Sequence, residues 1–360
     1  MKRSHKKALV LLVKLAVAAG LLALVVAKVH WADYTETIRN AGGAERQVAC
    51  RGFRSALAGA DLPLLAAALV CFAIPVVILA VRWWYLLRVI EIRIRLWESV
   101  RLTFLGYFFN YIVPGVVSGD LVKAWYAFKH TDRRAAALVS IFVDRLLGLL
   151  EFAILPAVVI GALWAGGHWN ERFRWPTILI AAVLAGLAVG FAVVASARLR
   201  HLFGRLLARG PLRRHLAVAG QAVEMYRRRL LCLVKALGIT FGSQVIFIGG
   251  VMLAGRSLHL PIAWYEYFLY TPLVYIIAAV PVSPGGIGVM EWCFVTFFAV
   301  GATTASEATA LALLARLGPM LCSLPGLVVA LTGPKLPKAE RIQAELAGDD
   351  PPPVPDQHAN

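Results

Sequence analysis

Several apolar runs of about 20 residues limit most strongly how this chain can fold. A helix of that length spans the hydrocarbon core of a bilayer, which is about 30 Å thick. The segments between the runs are short and rich in arginine and lysine, as in the loops that membrane proteins leave in the cytoplasm. These runs predict an all-α polytopic membrane protein.

The remaining composition excludes several function classes. The net charge of +17 is strong enough for nucleic-acid binding, but the basic residues lie between apolar runs, beside anionic lipid, and a soluble basic domain is missing. The five cysteines form no C-x-x-C pair and the eight histidines are dispersed. The sequence contains no Walker loop, G-x-S-x-G or H-E-x-x-H motif. We therefore expect no nucleic-acid partner, no cofactor, no metal site and no enzymatic activity.

Charge placement predicts six full spans with both termini in the cytoplasm. They cover residues 8–27, 62–87, 135–165, 177–195, 230–254 and 308–331. A cleaved signal peptide is the alternative for the first span, because a basic start and an apolar run look alike in both.

The spans define a predicted domain organisation. A basic N-terminus, 1–7, precedes a transmembrane domain, 8–333, whose halves cover about 8–195 and 230–333. The linker between the halves, 196–229, carries nine arginines and one acid, which predicts that it is cytoplasmic. The proline-rich tail, 334–360, is predicted to be cytoplasmic and partly disordered.

Two shorter apolar segments, 102–117 and 262–300, are interrupted by glycine and proline. Basic residues flank the first on both sides, which favours a re-entrant hairpin over the alternative of one ordinary helix with a basic external loop. The second must enter from the other face if the C-terminus is cytoplasmic. Such a pair of broken segments in two halves is typical of inverted-repeat transporters, whose sites lie near the midplane.

The first hairpin carries a group of candidate binding residues at its turn. They are Asn110, Pro114, Gly115, Gly119, Asp120 and Lys123. One interpretation is a polar floor that receives a lipid head group. The other is an interfacial turn that Asp120 caps and from which Lys123 extends to the membrane surface.

Three charges lie inside the next predicted span. Asp144 and Glu151 share one stripe of the helix with Gly148, whereas Arg145 points about 100° away. Each buried charge costs about 2.5 to 3.5 kcal/mol on insertion scales and needs a partner or water. The functional hypothesis is a hydrated path or lipid-phosphate site with Arg145 as the anion ligand. The structural alternative pairs Asp144 or Glu151 with Arg145 or Arg316.

The second hairpin carries its own set of candidate residues. They are Ser283, Pro284, Gly285, Gly286, Gly288 and Glu291. The glycines allow positive φ angles and close backbone approach. Glu291 stands at the start of a helix, where it is either a ligand or a cap, and Arg316 in the last span needs a partner.

Two further segments lie around the end of the second span. Arg82, Trp83, Trp84 and Tyr85 are interpreted as an interfacial aromatic belt. The alternation of apolar and charged residues over 88–98 fits either a strand or an interfacial helix.

Four motifs together resemble a known family. They are FNYIVPGVVSGDLVKAW at 109–125, VDRLLGLLE at 143–151, PVSPGGIGVMEW at 281–292, and Arg316. The chain resembles the flippase-like transmembrane region of lysylphosphatidylglycerol synthetases over about 8–331. Ser118 stands where that family usually has glycine.

The resemblance implies a protein of the bacterial inner membrane that moves lipid between leaflets. The expected partners are anionic or aminoacylated phospholipids or lipid-linked intermediates, with a possible second copy or a separate synthase. Arg145 and Arg316 would bind phosphate, and Asp120 and Glu291 a cationic group or proton. No counterpart of the soluble aminoacyl-transferase domain occurs in the sequence, so lysyl transfer is not expected. The alternatives are an accessory or transferase subunit for lipid-linked sugar or hopanoid synthesis, and a small-solute secondary transporter.

Overall fold

The computed structural model describes residues 16–39, 45–112, 119–129, 134–195, 225–226, 229–280, 282–299 and 302–332. Within these ranges lie twelve α-helices: α1 Ala16–Lys28, α2 Phe53–Ala58, α3 Leu62–Val89, α4 Leu96–Ile112, α5 Gly119–Lys129, α6 Arg134–Ala165, α7 Arg174–Ala195, α8 Leu230–Ser257, α9 Trp264–Ala279, α10 Val289–Phe298, α11 Ala305–Cys322 and α12 Pro325–Thr332. Pro114, Gly115, most of the linker and the C-terminal tail lie outside the described residues.

Five helical segments are long and apolar enough to cross a membrane. They are Leu62–Val89, Val139–Ala165, Glu171–Gly190, Leu231–Ser257 and Ala305–Thr332, the last formed by α11 and α12 in succession. These match five of the six predicted spans. The first predicted span, 8–27, is described only in part, as α1. The all-α polytopic class is therefore confirmed.

Helix lengths repeat in the two halves of the chain. The 28-residue helix α3 is followed by α4, with 17 residues, and α5, with 11. The 28-residue helix α8 is followed by α9, with 16 residues, and α10, with 10. We call α4 with α5 the first helix pair and α9 with α10 the second, because the helices of each pair pack against each other.

The first helix pair packs at one end of the long helices. A first core joins Trp83 of α3, Leu105 of α4, Val122 of α5, Ala137 of α6 and Ala236 of α8. It uses the C-terminal part of α3 but the N-terminal parts of α6 and α8, so α3 runs opposite to the other two.

The second helix pair packs at the opposite end. A second core joins Phe72 of α3, Ile160 of α6, Val251 of α8, Leu273 of α9 and Phe294 of α10. It uses the N-terminal part of α3 and the C-terminal parts of α6 and α8. The two broken segments are therefore opposed, with the middle of the bundle between them.

The segment between α1 and α3 contains the only β-strands in the described residues. Strands β1 Tyr34–Arg39 and β2 Glu45–Cys50 pair antiparallel, with Tyr34 opposite Cys50. The short helix α2 follows them. The two strands are a local ribbon and leave the all-α class unchanged.

The interpretation of residues 82–85 as an interfacial belt is wrong for its first two members. Arg82 and Trp83 are buried, because they face the neighbouring helices of the first core. Trp84 does lie at the edge of the bundle, where its indole Nε1 donates to the Ile94 carbonyl at 3.1 Å. Sequence alone does not tell which side of a helix faces lipid.

The segment 88–98 is neither a strand nor a separate helix. α3 continues to Val89, the chain turns at Glu91 with φ 67°, and α4 starts at Leu96. Ile90, Ile92 and Ile94 are buried in the first core, which explains the alternation. The alternation of apolar and charged residues here belongs to an extended connection that packs one side against the bundle.

Candidate functional site

The two arms of the first helix pair meet at a glycine contact. A Cβ atom on Gly119 would lie 1.9 Å from the carbonyl oxygen of Gly106, so only glycine fits at the start of α5. The Asn110 side-chain oxygen accepts a hydrogen bond from the Gly119 amide at 2.8 Å. Asn110 thus caps α5 from the end of α4, which is a positioning role in the predicted polar floor.

Asp120 and Arg145 form a two-point ion pair beside this contact. Arg145 Nε donates to Asp120 Oδ2, and Nη2 donates to Oδ1 at 2.6 Å. A guanidinium has five N–H groups, so the described residues leave three of those on Arg145 without a protein acceptor. The Arg145 side chain is 54% exposed although it lies within a spanning segment. It is therefore an accessible cationic donor group.

Lys123 does not extend to the surface from the turn. Its side chain is buried, and its ammonium lies 5.1 Å from the ring centre of Trp83. This distance fits a cation–π contact. The interpretation in which Lys123 extends from the turn to the membrane surface therefore has no support in the structure.

The tip of the second helix pair is built from the predicted glycines. Gly285, Gly286 and Gly288 have φ angles of 62°, 66° and 83°, as their sequence pattern indicates. Glu291 accepts from the Gly288 amide at 2.8 Å and so caps α10. A Cβ on Gly288 would lie 2.7 Å from the Ala18 carbonyl oxygen, so α1 packs directly on this tip.

Ser283 and Pro284 begin the turn that leads into this tip. Pro284 starts a single 3-10 turn that ends at Gly286. Ser283 is buried, and its hydroxyl has no hydrogen-bond partner within the described ranges. The turn therefore keeps one polar group available inside the protein.

Arg316 holds the second tip in place. It binds both oxygens of Glu291, and Nη2 also donates to the Gly286 carbonyl at 3.0 Å. Nη1 donates to the Gly285 carbonyl at 3.2 Å. Four N–H groups are thus used, and the Arg316 side chain is only 19% exposed. The partner that the sequence requires for Arg316 is Glu291.

Asp144 pairs with Arg82, which belongs to the predicted interfacial belt. Arg82 Nε donates to Asp144 Oδ1 at 2.9 Å, and Nη1 donates to the Thr240 hydroxyl at 2.9 Å. This pair joins α3, α6 and α8. The alternative in which Asp144 pairs with Arg145 or Arg316 is therefore not the observed one.

Glu151 has a different environment from the other acids. It is buried on the same helical stripe as Asp144, whereas Arg145 is exposed on another face, as the spacing predicts. Its Oε2 atom has no hydrogen-bond partner among the residues that the structure describes. Gly148, between the two acids, has open space where a Cβ would lie.

Three tyrosines interact electrostatically with one or both of the two arginines. Tyr111 interacts electrostatically with both Arg145 and Arg316, and Tyr107 with Arg145. Tyr275 interacts with Tyr111 and donates to the Ala315 carbonyl at 3.1 Å. The C-terminal end of α4 and the tip of the second helix pair therefore approach the same polar region.

The two ion pairs are symmetric in the sequence, although the motifs alone did not predict this pairing. Asp120 and Arg145 are 25 residues apart, and so are Glu291 and Arg316. Each acid also stands in the first turn of a short helix. An equal acid-to-arginine spacing after each Gly/Pro break would have linked the four residues. No comparable signal exists for Arg82 with Asp144.

The described residues contain no group of three or more histidine, cysteine or acidic side chains that could hold a metal ion.

The profile of the lysylphosphatidylglycerol synthase TM region family matches residues 11–326, which is most of the chain. The chain therefore belongs to this family. A search of curated proteins found no match.

Proposed function

We propose that this member of the lysylphosphatidylglycerol synthase TM region family moves anionic phospholipids between the leaflets of the bacterial inner membrane, without changing them chemically. Membership of the family supports a role in lipid modification or flipping. The observation that carries the proposal is the accessible guanidinium of Arg145 inside a spanning segment. A charge at that depth needs water or a ligand.

Arg145 has the geometry to bind a phosphate. Two N–H groups on Nη1 and one on Nη2 are free of protein acceptors in the described part of the chain, while Asp120 fixes the other edge of the guanidinium. Arginine binds phosphate oxygens with paired N–H groups. Asp120 therefore orients Arg145.

The tyrosines provide the polar route away from Arg145. Tyr111 interacts electrostatically with both Arg145 and Arg316, and the ring centres of Tyr107 and Tyr111 are 5.9 Å apart. Head-group oxygens can exchange hydrogen bonds along such a row while the acyl chains stay in the hydrocarbon. Opposed broken segments are the arrangement by which inverted-repeat transporters open a midplane site to each face in turn.

Leaflet exchange in liposomes tests this function. The purified chain is reconstituted with fluorescent phosphatidylglycerol, and the fraction that a membrane-impermeant quencher reaches is followed in time. We expect exchange well above that of protein-free vesicles, and loss of this excess in Arg145→Ala. Exchange equal to that of empty vesicles contradicts the proposal.

The matched control is Arg174→Ala. Arg174 is also an exposed arginine with an acidic partner, Glu171, but it lies at the start of α7, away from both tips. We expect full exchange from this variant. Equal loss in both variants would assign the effect to net charge and contradict a phosphate site at Arg145.

The opposed insertion of the helix pairs has its own test. Trp97 in the first turn of α4 and Trp264 in the first turn of α9 are both exposed. Single cysteines at these positions should react with an impermeant maleimide from opposite faces of the membrane, with position 97 on the cytoplasmic face. Labelling of both from one face contradicts the topology.

A further inference from the structure

We infer that Glu151 is a proton-binding site that couples lipid movement to the proton gradient, an inference that rests on the proposed transport function. In the described conformation Glu151 carries a proton. When water enters the middle of the bundle, its O–H bond breaks, the electron pair stays on the carboxylate and the proton passes to water.

Among the acidic side chains that the structure describes, Glu151 is the one with a buried oxygen that has no hydrogen-bond partner. Its side chain is 4% exposed, and Oε2 has no hydrogen-bond partner in the described ranges. Gln244 on α8 has the same property at its Nε2 atom and is also buried. Native proteins leave few buried polar groups unpaired, and those few need an explanation.

Glu151 and Gln244 both lie between the two cores. Along α6, Glu151 falls between Leu147 in the first core and Ile160 in the second. Along α8, Gln244 falls between Ala236 in the first core and Ile248 in the second. Because α6 and α8 run in the same direction and pack together, both groups border the polar region between the cores.

The nearby charges leave Glu151 without a counter-ion. On α3, Arg82 is already held by Asp144 and Thr240, and Arg88 lies over Trp84 at the helix end. On α5, Asp120 contacts Arg145 and Lys123 contacts Trp83, and Lys129 is the last residue of the helix.

In the part of the chain that the structure describes, the other helices packed on α6 offer no free cation near Glu151. Lys235 and Arg256 stand near the two ends of α8. Glu266 at the start of α9 pairs with Arg172 at 2.9 Å, Tyr275 of α9 is a neutral hydroxyl, and α7 has only Arg174 at its first residue. A second ionised acid beside one arginine would be an uncompensated buried charge, which is strongly unfavourable.

Arg82 gives this site a way to respond. A proton leaving Glu151 creates a second carboxylate seven residues from Asp144 on the same stripe, about 10 Å along the helix axis. Arg82 can then move from Asp144 toward Glu151. Because Arg82 joins α3, α6 and α8, this exchange would change the contacts between the helices that separate the two pairs.

Infrared spectroscopy tests the proton directly, without reference to transport. The full chain is reconstituted in vesicles of phosphatidylglycerol and phosphatidylethanolamine, and the carboxylic-acid C=O band is recorded at pH 7. We expect a band in the parent protein that is lost in Glu151→Gln and kept, at a shifted frequency, in Glu151→Asp. The matched control is Glu171→Gln, whose parent side chain is 80% exposed and whose replacement should leave the band unchanged.

The outcomes separate this inference from the proposed function. A parent protein without an acid band at pH 7, or a band that survives Glu151→Gln, overturns the proton site even if lipid exchange is present. With exchange present, an imposed proton gradient should change its rate in the parent protein but not in Glu151→Gln. If the gradient changes the exchange rate in neither the parent protein nor Glu151→Gln, the coupling is overturned. A parent protein with the band but no exchange overturns the transport function and keeps the proton site.

Discussion

The two arginine–acid pairs occupy equivalent places in the two halves, but they use their guanidinium groups differently. Arg316 gives four N–H groups to Glu291 and to the carbonyls of Gly285 and Gly286. Arg145 gives two, both to Asp120. The exposed fractions, 19% for Arg316 and 54% for Arg145, follow the same order. The Arg316–Glu291 pair fixes the tip of the second helix pair. The Arg145–Asp120 pair leaves three guanidinium N–H groups without an acceptor among the described residues.

Equivalent positions in the two halves therefore have different hydrogen-bonding environments. The sequence predicts phosphate binding for both arginines. The second tip has three glycines with positive φ, and these expose carbonyls that Arg316 binds. The bonds from Arg316 to these carbonyls therefore account for its lower exposure.

The largest expected effect is on stability, in Arg316→Met. This change leaves Glu291 without its partner and two tip carbonyls unsatisfied, so we expect a loss of about 3 to 5 kcal/mol in the free energy of unfolding. The matched Arg145→Met change removes an exposed pair and should cost about 1 kcal/mol or less. Unfolding in mixed detergent micelles measures both. Equal losses would remove the distinction between the two pairs.

The next effect concerns the glycine contact of the first helix pair. Gly119→Ala would place a Cβ 1.9 Å from the Gly106 carbonyl oxygen and force α4 and α5 apart. Overpacking of this kind costs about 1 to 3 kcal/mol. Gly148→Ala is the control, because its Cβ meets open space within a helix and should be neutral or stabilising by about 1 kcal/mol. A Gly119→Ala variant as stable as the parent would contradict the close approach.

The smallest effect is outside the membrane-spanning segments, at Asp33. The Ser55 hydroxyl and the Gly52 amide donate to Asp33 and lower the pKa of its carboxyl. A lowered pKa stabilises the segment above the ordinary carboxyl pKa of about 4, and this stabilisation is lost as pH falls through the lowered value. Protection of the Gly52 amide from hydrogen exchange, corrected for intrinsic rates, should therefore fall below pH about 4. Asp33→Asn should have low protection at pH 7 and no such fall.

The sequence predicts the spans well because lipid imposes a simple length and composition rule. Five predicted spans agree with apolar helices, and the glycines of the second tip adopt the positive φ angles that their pattern indicates. The connection at 88–98 was ambiguous, since alternation also arises where an extended segment packs one side on a core.

Pairing between distant helices could not be predicted in the same way. Arg82 and Asp144 are 62 residues apart and join helices whose facing surfaces the sequence does not fix. An arginine beside tryptophans near a helix end has the same pattern whether it is at the interface or buried. The role of Glu291 also stayed open between ligand and cap, because the capping bond to Gly288 depends on the exact turn.

Charge rescue at position 145 tests the central claim most directly. Arg145→Cys is made in a background in which the five native cysteines are replaced, and phosphatidylglycerol exchange is measured before and after reaction with methanethiosulfonate reagents. We expect Arg145→Cys to be inactive before reaction. The ammonium-bearing reagent should restore exchange, and the uncharged methyl reagent should not. Arg316→Cys should stay inactive with both reagents. An unreactive cysteine at 145, or equal recovery with the uncharged reagent, would contradict an accessible positive charge as the lipid-phosphate ligand.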